Sequence, residues 1–352
     1  MRQIAWIHYD IFDRVHEFRH NIYPRSHLWG FPMGRENNIH FLNPLIKNRF
    51  VCRLLNFFSI ITKHRLGDFY LELSIYLIRN KFDLIYFVSG NIVIIPLLKR
   101  LGLINVKLSV LLYKLPENSL WWKFHNLNHS LPLLNSFDGI NCLTKNLKNE
   151  LNSKLTNKKI AINCIPWATD GLIFYKANIV SKGKYFFCGG KTNRDHISLL
   201  KSAAQSPSFR FIIIKHWEGD LAVPSNVKII ESNTLITDKA ISYDKLRLLY
   251  AECIAVCIPL NYDPKDTCGY TEMLEAITMQ KPIIMTKSGC LDIELEENNL
   301  GYYVKPNDSF DWVKKLKIVY QESHTDKNYN YDFKTNTINN LERQTTDFLL
   351  NI

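Results

Sequence analysis

Short apolar runs alternate with longer segments of mixed apolar and polar residues along the whole chain. Each run is rich in Ile, Val, Phe or Tyr, which is typical of a strand buried on both faces of a parallel sheet. This alternation predicts an α/β fold built from doubly wound sheets. The predicted strands lie at 4–7, 38–42, 83–88, 106–113, 137–143, 160–165, 184–188, 211–214, 226–230, 254–258, 283–285 and 301–306.

Several helix starts are marked by residues that cap helices. Thr144 and Ser242 precede helical segments, and their hydroxyl oxygens are expected to accept bonds from free N–H groups of the first turn. Asp308 is expected to start a helix that reaches about residue 320. Further helices are predicted after Gly289, to about residue 297, and at about 336–350.

The connection after the first strand is polar and reaches about residue 24. We predict a long loop here, at the carboxyl end of a strand, where ligands bind in open α/β sheets. The loop carries His8, Asp10, His16 and Arg19 as candidates for chemistry. His8 has a second interpretation, as a buried histidine with satisfied ring nitrogens.

The length of 352 residues favours two domains over one. We place the N-terminal domain at 1–165, a linker at 166–183, the C-terminal domain at 184–335 and a final helix at 336–352. No segment of about 18 apolar residues lacks charges, so no transmembrane helix is expected. The eight scattered cysteines form no Cys-x-x-Cys pair, which favours reduced thiols and a cytoplasmic protein.

Positive charge is concentrated in the first half of the chain. Residues 1–165 hold 22 Lys and Arg against 10 Asp and Glu, whereas residues 166–352 hold 22 against 23. The segment 44–66 mixes cations with apolar residues, as a helix lying on an anionic membrane does. The same segment is also typical of an amphipathic helix packed on its own sheet. The positive charge of the first half is also typical of a solvated surface. No nucleic-acid reading module is present, so no nucleic-acid partner is expected.

A diglycine loop follows the strand at 184–188. Gly189 and Gly190 allow backbone N–H groups to face a phosphate, while Lys191 and Arg194 can reach it as cations. Lys215, at the end of the next strand, is a further candidate cation. The loop is neither a Walker A loop nor Gly-x-Gly-x-x-Gly, which argues against a nicotinamide enzyme.

A second glycine turn opens the helix that begins near Tyr270. Gly269 permits close approach of a ligand, and the N–H groups of Tyr270 and Thr271 lie at the positive end of the helix dipole. Glu275 lies about one turn into the helix, within reach of a ribose. On its own, the segment is also consistent with an ordinary αβ unit.

The run Gly-Tyr-Thr-x-x-Leu-Glu-Ala-x-x-x-x-Lys-Pro-Ile-Ile at 269–284 resembles the donor-binding segment of GT-B glycosyltransferases, most closely the retaining family 4 enzymes. The resemblance implies two Rossmann-like domains that face each other across a cleft, with the final helix crossing back to the first. It implies that Glu275 holds the ribose of a nucleotide sugar. The family's sugar-contacting Glu, eight residues earlier, is Thr267 here.

The resemblance further implies a retaining sugar transfer from a nucleotide-diphosphate sugar to a hydroxyl of a glycan or lipid-linked acceptor, in cell-surface polysaccharide biosynthesis. The diphosphate would be stabilised by the loop and helix groups named above, without a metal or a resident cofactor and without a protein nucleophile. His8, Asp10, His16 and Arg19 are the candidates on the acceptor side. A nucleotide-sugar epimerase of the same fold and a non-catalytic subunit docked on an anionic surface remain alternatives, and attachment to the inner face of the cell membrane is a further hypothesis.

Overall fold

The computed structural model describes residues 2–8, 11–20, 23–33, 38–42, 50–51, 53–54, 57, 69–88, 92–115, 133–175, 183–215, 221–231, 241–323 and 329–352. The chain forms two compact units. The first contains Met1–Asn21, His27–Pro166 and Leu341–Ile352, and the second contains Ile22–Ser26 and Trp167–Asn340.

The first unit contains a parallel sheet of six strands within the described residues, in the order β2-β1-β3-β4-β5-β6. The central strands are almost entirely buried, which explains their mainly apolar sequence. The strand order reverses between β1 and β3. In open α/β sheets, ligands bind in the crevice beyond the carboxyl ends of the two strands at such a reversal. The strands are β1 Ile4–Ile7, β2 Ile39–Phe41, β3 Leu84–Phe87, β4 Lys107–Leu112, β5 Gly139–Cys142 and β6 Ala161–Cys164.

The described helices of the first unit are α1 Ile11–Arg19, α2 Phe69–Ile78, α3 Ile94–Arg100 and α4 Lys145–Lys154. The Thr144 cap is confirmed, since its hydroxyl accepts a bond from the N–H of Leu147 at 3.3 Å. A buried carboxylate on α2 serves the start of α3: Glu72 accepts bonds from the N–H groups of Val93 and Ile95 at 3.0 and 2.8 Å. The first turn of α3 therefore has an acceptor that its own sequence lacks.

The second unit contains another parallel sheet of six strands within the described residues, in the order β12-β11-β10-β7-β8-β9. This order reverses between β7 and β10, so the loops after these two strands flank the crevice where ligands bind in this architecture. The strands are β7 Tyr185–Cys188, β8 Phe211–Lys215, β9 Val227–Glu231, β10 Cys253–Ile258, β11 Ile283–Thr286 and β12 Gly301–Val304.

The helices that follow in the described residues are α5 His196–Ala204, α6 Tyr243–Glu252, α7 Tyr270–Thr278, α8 Ser309–Glu322 and α9 Ile338–Asn351. The predicted cap at Ser242 and the helix start at Asp308 are both confirmed by bonds from first-turn N–H groups. From Leu341 onward α9 belongs to the first unit. There Arg2 donates to the carbonyl of Leu349 at 3.2 Å, and Lys107 donates to that of Ile352 at 2.7 Å.

Two predicted elements were wrong. The polar connection after β1 is not one long loop, because α1 occupies residues 11–19. Ile11, Val15 and Phe18 recur at helical spacing, and Val15 is buried. The α/β class with doubly wound parallel sheets is confirmed.

The predicted helix between Gly289 and residue 297 is also wrong, since residues 290–294 have no regular secondary structure and residues 295–299 form turns. Gly289 has φ +81°, and a Cβ there would lie 2.2 Å from the carbonyl oxygen of Asp266. Glu296 uses its side chain to accept a bond from the N–H of Tyr303 at 2.8 Å. The N–H of Cys290 also donates to the carbonyl of Asp266 at 3.1 Å. These bonds join the segment to β12 and to the 259–269 loop.

Candidate functional site

The two predicted glycine turns meet at the point where the second sheet reverses its strand order. The loop after β7 and the loop after β10 are joined by backbone bonds. The N–H of Asp195 donates to the carbonyl of Pro259 at 3.2 Å, and the N–H of Asn261 donates to the carbonyl of Asn193 at 3.1 Å. The side chain of Asn193 also donates to the carboxylate of Asp266 at 2.8 Å. The structure therefore brings together two segments that lie about 80 residues apart in the sequence.

Gly269 is required by its backbone conformation and by its surroundings. It stands immediately before α7 with φ +84°, in the left-handed region that glycine adopts without strain. A Cβ at this position would lie 2.9 Å from Ile258 Cγ2 and 3.0 Å from Met285 Cε. The N–H of Tyr270 donates to the carbonyl of Thr267 at 3.3 Å, so this predicted phosphate donor already has an internal acceptor.

A residue that the sequence analysis missed, Glu272, connects the diglycine loop to α7. Its Oε1 accepts bonds from the N–H groups of Gly189 and Gly190 at 2.8 and 3.1 Å. Its Oε2 lies 2.7 Å from Nη2 of Arg194, in an ion pair whose two side chains are each 5% exposed. Three of the groups that were predicted to bind a diphosphate therefore converge on one carboxylate.

This ion pair also explains why position 190 is a glycine. A Cβ on Gly190 would lie 1.8 Å from Nη2 of Arg194 and 2.3 Å from Oε2 of Glu272. Burial by itself lowers the pKa of the Arg194 guanidinium, but the adjacent Glu272 carboxylate outweighs burial and raises it. Arg194 is therefore a permanent cation inside the protein.

Glu275 lies one turn further along α7 and is 7% exposed. Its Oε2 accepts a bond from the hydroxyl of Tyr250 at 2.7 Å. Burial raises the pKa of Glu275 to about 8; the Tyr250 bond opposes this rise and the nearby Glu272 adds to it. Tyr250 is itself buried, with its ring edge-to-face against Phe174 and Phe187. The carboxyl is therefore mainly protonated at neutral pH.

The acceptor-side candidates lie in the first unit. His8 follows β1 at the reversal point of the first sheet, is buried, and stacks on Trp29 with ring centroids 3.8 Å apart. His16 and Arg19 are exposed on the last turn of α1, where the ring of His16 lies 4.2 Å from that of His20. Asp10 lies outside the described residues.

The remaining donor-side candidates lie on the diglycine loop, at the end of β8 and on α7. Lys191 is exposed on the diglycine loop, and Lys215 ends β8, where only its backbone is described. Thr271 occupies the first turn of α7.

Most of the predicted amphipathic segment 44–66 lies outside the described residues, but Phe50, Leu54 and Phe57 are described and are 74, 45 and 55% exposed.

Within the described residues, no three His, Cys, Asp or Glu side chains are grouped closely enough to hold a metal ion. Across the same residues, every helix is too short or too polar to cross a membrane.

The fold of the chain is similar to that of glycosyltransferases of known structure. A glycosyltransferase from Rickettsia africae superposes with a TM-score of 0.56 at 13% identity, over 89% of this chain and 84% of that one. The HepE protein of Anabaena, in complex with UDP and glucose, superposes with a TM-score of 0.59 at 12% identity over the full length of both chains. Sucrose-phosphate synthase from Thermosynechococcus elongatus gives 0.56 at 12% identity, over 99% of this chain and 95% of that one.

These likenesses confirm the prediction of a GT-B type of fold. Membership of family 4 stays a prediction. No protein-family model matches the chain, and no curated protein sequence does either.

Proposed function

We propose that the protein transfers a sugar from a nucleoside-diphosphate sugar to a hydroxyl group of a glycan or lipid-linked acceptor. One observation carries this proposal: a diglycine loop, a buried arginine and a glycine-initiated helix meet at the strand-order reversal of the second sheet. Such a crevice collects backbone N–H groups and a cation, which suit a diphosphate. The likeness to glycosyltransferases, among them a HepE protein solved with UDP-glucose, supports the same choice of ligand.

The proposed chemistry is electrostatic. The acceptor oxygen bonds to the anomeric carbon of the sugar as the bond between that carbon and the diphosphate breaks. Negative charge develops on the departing diphosphate, which takes up the proton of the acceptor hydroxyl. Arg194, Lys191 and the N–H of Thr271 in the first turn of α7 are assigned to stabilise that charge. Glu275 is assigned to the ribose. Retention of configuration follows if the hydroxyl attacks from the side on which the diphosphate leaves, and no protein nucleophile is required.

We also propose that the first unit contacts an anionic membrane surface, which would place the protein at its cytoplasmic face. Phe50, Leu54 and Phe57 have helical backbone, recur at helical spacing and are exposed, next to the exposed Arg53. An apolar face bordered by cations is the arrangement that binds a lipid interface. The excess of basic residues in the first half of the chain has the sign that favours anionic lipids.

The direct test is turnover of a panel of nucleoside-diphosphate sugars, with and without simple glycosides as acceptors. The proposal expects release of the nucleoside diphosphate that rises with acceptor and yields a glycosylated product. Conversion of the donor into an isomeric nucleotide sugar without acceptor would instead identify an epimerase. Binding to anionic vesicles without consumption of any donor would identify a non-catalytic subunit.

A further inference from the structure

We propose that Glu272 occupies the anion position of the donor site, and that the diphosphate of a donor binds there by displacing the Glu272 carboxylate. Glu272 would thereby determine which anions the site accepts. This inference rests on the proposed function, because it assigns a role to Glu272 in binding the same nucleoside-diphosphate donor.

Glu272 occupies hydrogen-bond donors that a diphosphate would need. An amide N–H carries one proton, and those of Gly189 and Gly190 both point to Oε1 of Glu272. Nη2 of Arg194 is engaged by Oε2 of the same carboxylate. A phosphate oxygen can use these groups only if it replaces the carboxylate, because the two anions require the same protons.

The charge of Arg194 is also balanced by Glu272. The Glu272 carboxylate neutralises Arg194 within a pair that is almost fully buried. While the pair is intact, Arg194 contributes little net attraction for an incoming anion. Displacement of the carboxylate releases a full positive charge and a planar set of donors that match phosphate geometry.

Arg194 has one N–H donor that the ion pair with Glu272 leaves unused. Within the described residues, Nε of Arg194 is buried and has no hydrogen-bond partner. Both oxygens of the Glu272 carboxylate are already engaged by other donors, whereas a phosphate group offers more acceptor oxygens. The phosphate can therefore satisfy a donor that Glu272 leaves unpaired, which favours the exchange.

The exchange is geometrically local. Glu272 lies in the first turn of α7, at the positive end of the helix dipole, where the diphosphate is expected as well. Its side chain rotates about three single bonds and can leave while the backbone stays in place. Gly190 has no side chain to obstruct the change. A diphosphate carries more negative charge than the single carboxylate that it replaces, which favours its binding beside Arg194.

The test compares wild type with Glu272→Gln by titration calorimetry. The probes are UDP, ADP, GDP and CDP together with the matching nucleosides. The glutamine oxygen can still accept from the glycine N–H groups, but the negative charge is gone and Arg194 is free for phosphate. For the nucleotide that binds, we expect the affinity ratio of diphosphate over nucleoside to rise about tenfold in Glu272→Gln.

The matched control is Glu297→Gln, which makes the same change of charge at an exposed glutamate of the second unit and should leave the ratio unchanged. An equal or smaller ratio in Glu272→Gln than in wild type overturns the displacement proposal while leaving the donor site intact. Absence of binding by every probe to both proteins overturns the proposed function, and this inference with it.

A structure of the wild-type protein with the bound nucleoside diphosphate gives a second test that does not depend on the folding of a variant. We expect phosphate oxygens on the Gly189 and Gly190 N–H groups and the Glu272 carboxylate moved away from them. A bound diphosphate beside an unchanged Glu272–Arg194 pair would show that the carboxylate is a fixed support for the loop, not an exchangeable anion.

Discussion

The hydroxyl of Tyr250 donates a 2.7 Å hydrogen bond to Oε2 of Glu275, and both side chains are buried. The bond joins α6 to α7 across 25 positions of sequence. Because burial disfavours the charged carboxylate, the pKa of Glu275 rises to about 8. The protonation state of this carboxyl is therefore linked to the stability of the protein.

The first prediction concerns the pH dependence of stability. The carboxyl of Glu275 has its ordinary pKa of 4.5 in the unfolded chain and a pKa of about 8 in the folded protein. Between these values the folded protein holds a proton that the unfolded chain has released, so stability falls as pH rises. The contribution is fully present below pH 4.5 and is lost as pH rises through about 8, with a slope of up to ~1.4 kcal/mol per pH unit.

Glu275→Gln removes this titration. Urea unfolding at a series of pH values should show the variant gaining stability relative to wild type as pH rises towards 8. Glu297→Gln, at an exposed position, should follow the wild-type profile. Parallel profiles for wild type and Glu275→Gln would mean that Glu275 titrates as an ordinary exposed carboxyl.

The second prediction concerns Tyr250→Phe. The variant loses a buried hydrogen bond, which should lower the free energy of unfolding by about 1 kcal/mol. Since that bond lowers the pKa of Glu275, its loss should also move the stability profile to higher pH. Tyr329→Phe is the control, because its hydroxyl donates a bond of the same length to Gln280 but does not touch Glu275. Identical pH profiles of stability for the two variants would mean that the Tyr250 bond does not affect the pKa of Glu275.

The third prediction concerns the space at Gly190. Gly190→Ala places a methyl group inside the Glu272–Arg194 pair and should cost about 2–5 kcal/mol of stability, from overpacking and a disrupted buried ion pair. Gly171→Ala is the control: nothing lies within 4 Å of its added methyl group. It should change stability by less than about 0.5 kcal/mol. A similar small effect at both positions would show that the loop yields to the methyl group without loss of the pair.

The fourth prediction concerns the exposed apolar face of the first unit. Vesicles containing anionic lipid should retain the wild-type protein at low salt and release it as salt rises. Joint replacement of Phe50, Leu54 and Phe57 by Ser should abolish retention. Leu172→Ser, at an apolar residue of the second unit that is 78% exposed, should not. Failure of the wild-type protein to bind such vesicles ends the membrane proposal.

Local sequence signals predicted the parts of the site that are determined locally. The diglycine loop after β7 and the turn at Gly269 were predictable because glycine spacing after an apolar run reflects backbone geometry. The caps at Thr144 and Ser242 were predictable for the same reason, since a cap depends on residues three positions away.

The parts that depend on distant contacts were not predictable. Glu272 looks like an ordinary polar residue in a helix, and its partner Arg194 lies 78 positions earlier in the chain. The one available signal was its place in the first turn of a helix, where carboxylates often accept backbone bonds. The protonation of Glu275 depends likewise on burial by another helix. The helix α1 was missed because its charged side chains obscured the spacing of Val15 and Phe18.

The proposed donor site is tested most directly by a thermal-shift screen of nucleoside diphosphates and nucleotide sugars on wild type, Glu275→Ala and the exposed control Glu297→Ala. A ligand that binds only the folded state raises its stability by about 2.7 kcal/mol at one hundred times its dissociation constant. We expect one nucleotide to stabilise wild type and the control, and we expect this shift to be lost in Glu275→Ala. No shift of the wild-type protein with any nucleotide would contradict the donor site itself.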